Sequence, residues 1–147
     1  MIDQQRAADM NEDTLTLESA ILKDIPAIVD FVVNWLQQRK LDKYIFPFET
    51  AVDEASTNVV KHAYGGRGGF FQISCELNGA DIIITIRDHG AKFDPGSVPL
   101  PEVDSALEER KAGGLGIYMM KKMMDRVDYG YSEGEGNRLL LVKRTSV

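Results

Sequence analysis

Residues 70–88 read FFQISCELNGADIIITIRD, two apolar stretches joined at Asn78-Gly79. An Asn-Gly pair between such runs is a strong hairpin signal, because both residues tolerate the positive φ that a tight two-residue turn demands. FFQISCEL (70–77) and DIIITIRD (81–88) are therefore expected to pair antiparallel, the second as a buried strand. A hairpin this apolar must be covered, and the rest of the chain has to supply the cover.

The cover is visible upstream. Asp24 can cap a helix with Pro26 in its first turn, and Ile28, Phe31, Val32, Trp35 and Leu36 then share one face. A second helix is expected from about 48 to 62, with Phe48, Val52, Ala55 and Val59 as its core stripe, closed by the glycine-rich loop YGGRGG. TLTLES (14–19) alternates as a strand does, and RVDYGYSE and RLLLVKR form two more, joined through Gly134 and Gly136. Residues 1–13 are polar and without pattern, so a flexible tail is expected there. Residues 89–112 hold Pro95, Pro99 and Pro101 and little periodicity; so long a connection tends to be a lid or binding loop. After it, GGLG (113–116) opens an apolar run from Ile117 towards Val127 with the look of a third helix. The order β-α-α-β-β-(lid)-α-β-β predicts an α+β fold, a two-layer sandwich of one mixed, mostly antiparallel sheet with helices on a single face.

At 147 residues this reads as one domain, residues 14–147 after the tail. A net charge of −6 argues against a nucleic-acid backbone as partner. No run approaches the roughly 18 apolar residues of a membrane span, and the polar N-terminus has no signal-peptide core. With a single cysteine, Cys75 in an apolar stretch, the expectation is a cytoplasmic protein with that thiol in the core.

Several residues invite a chemical reading. Glu54 and Asn58 are one turn apart on a flank of the second helix. They are either a helix-stabilising polar pair or a general base beside an amide oxygen suited to Mg²⁺, which favours hard oxygen ligands. Asp88, followed by Gly90, ends a buried strand; it is either a plain strand terminus or a carboxylate placed to accept from an exocyclic amine. The glycines at 113, 114 and 116 are either a tight turn or a main-chain cradle for phosphate at a helix start. Arg110 and Lys111 beside them are solvated charges or phosphate and substrate contacts. His62 complements a helix C-terminus and His89 is expected to be exposed, while Met119, Met120, Met123 and Met124 divide between core and surface. No zinc spacing and no Walker P-loop occur.

Taken in order, DEASTNVVKHAYGG, IRDHGAKFDP and GGLGIYMMKKMMDRVDY, with GNRLLLVKR at the end, resemble the N, G1 and G2 boxes and final strand of the GHKL superfamily. The nearest likeness is to its anti-sigma-factor serine/threonine kinases, and it spans roughly residues 14–144. The resemblance implies the Bergerat sandwich and an ATP site. In it, Asn58 holds Mg²⁺ on the phosphates and Glu54 polarises the attacking hydroxyl. Asp88 reads the adenine amino group while Gly90 makes room for the ring. Gly113, Gly114, Leu115, Gly116 and Ile117 offer backbone amides to phosphate, with Arg110 beside them. It further implies a STAS-type anti-anti-sigma substrate, a sigma factor as second partner, and often a homodimer. Lys92 stands where the superfamily often has a second glycine, and Asn137 lies near the place of a threonine that often assists adenine recognition. The alternative function is a nucleotide-gated binding switch without transfer. The ATP domain of a sensor histidine kinase fits poorly, since the chain has no dimerisation helices with a phospho-accepting histidine.

Overall fold

A computed structural model describes residues 7–94 and 115–145. Six strands form one sheet in the order β1-β2-β3-β4-β6-β5: β1 (Ala7–Met10), β2 (Thr14–Leu17), β3 (Phe71–Asn78), β4 (Asp81–Asp88), β5 (Arg126–Ser132) and β6 (Gly136–Arg144). Every pairing among them is antiparallel, so the mixed sheet expected from the sequence is antiparallel throughout these strands. The expected hairpin is β3–β4, in register from Phe71 against Asp88 to Asn78 against Asp81, with Gly79 at φ 62° in the turn.

Strand alternation sends Leu15, Leu17, Phe71, Ile73, Cys75, Ile82, Ile84, Ile86, Leu139 and Leu141 to one face, all buried. Three helices cover that face: α1 (Ile25–Gln38), α2 (Ile45–Asn58) and α3 (Leu115–Met123). The central one, α2, packs against both of the others. Its expected stripe is correct, with Phe48 and Val52 fully buried and Ala55 and Val59 nearly so. Met120 and Met124 reach the core, whereas Met119 stays exposed. No helix among the described residues is long and apolar enough to cross a membrane.

Four local expectations need correction. Within the expected tail 1–13, residues 7–10 form β1, and Asp13 ties the following turn down by accepting from Trp35 Nε1 at 2.8 Å. Edge pairing through backbone groups leaves no apolar periodicity to read. Asp24 does not cap α1; its Oδ2 accepts from the Ile21 amide at 2.9 Å, closing the short turn before the helix. The second helix begins at Ile45, not near 48, and after Asn58 it widens into a π turn over Val59–Ala63. The third helix stops at Met123, and Val127 belongs to β5. Most of the expected lid, 95–112, lies outside the described residues.

Candidate active site

The site lies where α2 crosses the ends of β4 and β6. Glu54 and Asn58 sit one turn apart on α2, on the edge of its buried stripe. Asn58 is 6% exposed, and among the described residues its Nδ2 makes no hydrogen bond of good geometry, although it lies close enough to the Glu54 carboxylate to act on it. A buried amide whose donors are not fully used is costly, so this one is available to a polar ligand. Burial raises the pKa of Glu54 above the usual carboxylate range, with Asp53 adding to the rise and the neighbouring Asn58 amide and His62 working against it. A carboxylate pushed upward in this way is a better proton acceptor at neutral pH.

Glu54 faces α3. A methyl group placed on Gly116 would overlap Glu54 Oε1 and Cδ and stand 3.0 Å from Oε2. The glycine therefore does more than free the main chain: its missing side chain is the space that the Glu54 carboxylate occupies. No local pattern encodes that pairing, because the two residues lie on different helices far apart in the chain. Leu115 opens α3, and Ile117 is 2% exposed with its side chain in the core, so only its backbone is available to a ligand. Arg110, Gly113 and Gly114 lie outside the described residues.

Below Asn58 a cavity of about 30 Å³ runs between Ile86, Asp88, Phe93, Tyr129 and Asn137. Asp88 is 3% exposed, and burial raises its pKa while hydrogen bonds from Asn137 and Gly90 oppose the rise. Both bonds go to one oxygen: Gly90 N and Asn137 Nδ2 each donate to Oδ1 at 2.8 Å. Among the described residues Oδ2 accepts nothing, which leaves it directed to a donor such as an exocyclic amine.

Asn137 organises this end of the pocket in a way that its place in the sequence does not reveal. Its Nδ2 also donates to Ala91 O at 2.8 Å, and its Oδ1 accepts from Tyr129 OH at 2.5 Å and Phe93 N at 3.2 Å. One buried amide thus joins β4, β5, β6 and the loop after Asp88, and its hydrogen-bonding capacity is used up in doing so. A sequence motif records the residue but not the four partners.

Gly90 also acquires a different reason. A Cβ there would lie 2.5 Å from the Ala63 carbonyl oxygen and 2.7 Å from its Cβ. The same carbonyl accepts from Ala91 N at 2.8 Å. The glycine permits the loop to dock on the π turn, a helix irregularity that is frequent at functional sites. The histidines are placed by ring contacts: His62 stacks on Phe93 with centroids 5.2 Å apart, and His89, exposed as expected, stacks on Phe70 at 4.2 Å.

The sandwich and this constellation define a nucleotide-binding domain of the GHKL type. The chain belongs to the histidine kinase-like ATPase domain family, whose model matches residues 19–143. It is similar to an anti-sigma F factor of Clostridium novyi, 30% identical over 97 residues covering 65% of this chain and 68% of the relative. It is also similar to the serine-protein kinase RsbW of Halalkalibacterium halodurans, 29% identical over 128 residues covering 83% and 78%. A third relative is the serine/threonine-protein kinase BtrW of Bordetella bronchiseptica, 26% identical over 112 residues covering 76% and 78%.

Proposed function

We propose that this chain is an ATP- and Mg²⁺-dependent protein serine/threonine kinase that acts as an anti-sigma regulator. Its substrate is a STAS-type anti-anti-sigma protein, and its second partner a sigma factor that it sequesters, the kinase working as a homodimer. The observation that carries the reading is the pairing of a pKa-raised Glu54, seated in the notch of Gly116, with the buried Asn58 amide one turn away, whose donors are not fully used.

The donor set suits the group that the family implies. Asn58 offers its amide oxygen to Mg²⁺ and its Nδ2 to a phosphate oxygen, Asp88 Oδ2 accepts from the adenine amino group, and the start of α3 presents backbone amides to phosphate. When bound, Mg²⁺·ATP supplies the phosphoryl group and the charge that neutralises it. Glu54 accepts the proton of the partner's serine or threonine hydroxyl as that oxygen bonds to phosphorus and ADP departs. Asn58 and the α3 amides orient the phosphates, and Asp88, fixed by Asn137, orients the base.

The test is transfer of label from ATP to a STAS-domain partner in the presence of Mg²⁺. Glu54→Gln is expected to abolish transfer while ATP affinity stays within a few-fold of the native value. Full transfer in that variant removes Glu54 from the role of base. ATP binding without transfer at any ratio of partner replaces the kinase by a nucleotide-gated binding switch.

A further inference from the structure

The sheet face opposite the helices carries four arginines, and only two of them are provided with counter-ions. Arg126 lies 2.7 Å from Asp128, and Arg144 lies 3.3 Å from Asp81. At the other end of the same face, Arg87 of β4 and Arg138 of β6 are direct cross-strand partners. Neither forms an ion pair or a side-chain hydrogen bond among the described residues. Like charges set directly opposite each other on a sheet are destabilising, and in a chain of net charge −6 a carboxylate to separate them would be easy to supply.

The surroundings are arranged for a ligand instead. Opposite Arg138 on β5 stands Gly130, where a Cβ would be 3.3 Å from Arg138 Nη2. The absent side chain allows the guanidinium to lie flat across the strand. Between the two arginines, Tyr131 and Ser132 opens a cavity of about 270 Å³. Ser132 Oγ accepts from Glu135 N at 3.2 Å, which leaves its hydroxyl proton free to donate. Glu135 lines the cavity as well but forms no ion pair with either guanidinium group among the described residues.

We propose that Arg87 and Arg138 form a binding site for a phosphate-class dianion on the open face of the sheet. It lies back to back with the nucleotide pocket, since Arg87 and Arg138 each adjoin a residue, Asp88 and Asn137, that faces the other way. Two planar guanidinium forks suit an oxyanion that carries a charge of about −1.5 to −2 near pH 7. The ligand is free phosphate or a small phosphate monoester. The site does not depend on the kinase reading, because none of its residues takes part in the nucleotide pocket.

The test is a titration of the full-length chain at constant ionic strength with orthophosphate and, separately, with O-phosphoserine. It is followed by ¹H–¹⁵N shifts of the Arg87 and Arg138 Nε–H groups and the amides of 130–132. Resonances of 54–58 and 116–117 report any binding at the nucleotide pocket apart from this site. Saturable shifts at the arginines are expected. Loss of one charge-assisted contact should weaken binding by about tenfold or more in Arg138→Gln, and Glu135→Gln should tighten it. Equal affinity for the two probes identifies the free ion as ligand, and tighter binding of phosphoserine identifies the ester. Shifts that do not saturate, that appear equally at Arg126 and Arg144, or that persist unchanged in a folded Arg138→Gln overturn the proposal.

Discussion

Replacing Gly116 by alanine should separate stability from catalysis. Alanine is favoured over glycine inside a helix by about 1 kcal/mol, so on helix propensity alone α3 gains. The new methyl, however, enters the space of the Glu54 carboxylate, overlapping Oε1 and Cδ and standing 3.0 Å from Oε2, where ordinary contact begins at 3.4 Å. Glu54 is long and can swing aside, so the collision is relieved at its tip by a retreat of about 1 Å or more. Displacing a reacting group by that distance costs on the order of 100-fold in rate. Gly116→Ala is therefore expected to melt within a few degrees of the native protein and to transfer phosphate to its partner at least about 100-fold more slowly. Measuring kcat by label transfer and stability by thermal melting in the native protein and in Gly116→Ala decides the matter. Native kcat in Gly116→Ala, or a melting point lowered well beyond a few degrees, refutes the coupling.

Because burial raises the pKa of Glu54, transfer should rise with pH along an acid limb centred above the ordinary glutamate value, and initial rates across pH 4–8 will show it. A carboxyl whose folded pKa is raised contributes stability at low pH and loses it as pH rises through that value. Glu54→Gln should therefore gain stability relative to the native chain as the pH increases, seen as a widening gap in urea midpoints. Gly90→Ala pushes a methyl to 2.5 Å from the Ala63 carbonyl oxygen; backbone has little freedom to yield there, and chemical denaturation should register a loss of about 1–3 kcal/mol. Asn137→Leu strips Asp88 Oδ1, Ala91 O, Tyr129 OH and Phe93 N of a partner. At about 1–3 kcal/mol for a buried group left unpaired, it should be the most destabilising of these substitutions, and calorimetry should show weaker ATP binding where the protein still folds.

The parts of the fold that rest on periodicity were legible in advance. The β3–β4 hairpin follows from Asn78-Gly79 between two apolar stretches, and the α2 stripe from the spacing of Phe48, Val52, Ala55 and Val59. What rests on backbone geometry was hidden. The pairing of β1 uses main-chain groups that any residue carries, and the π turn after Asn58 contains nothing that a regular helix would refuse. At the site, the motif positions of Glu54, Asn58 and Asp88 could be read off the chain, but the reasons for the glycines could not. Gly90 meets Ala63 and Gly116 meets Glu54 across the tertiary structure, and no local pattern encodes a contact between segments that distant. Asn137 looked like a departure from a motif; its meaning lies in four simultaneous hydrogen bonds.

The widened turn over Val59–Ala63 gives this helix an odd property. One surplus residue is stored in its last turn, so the segment carries its own slack between the anchored row at Asn58 and the carbonyl that receives Ala91. Deleting a single residue there would leave a tidier helix, yet it would rotate that carbonyl away and set the loop after Asp88 adrift. In this place regularity is the defect, and length, rather than any one side chain, is what the site requires.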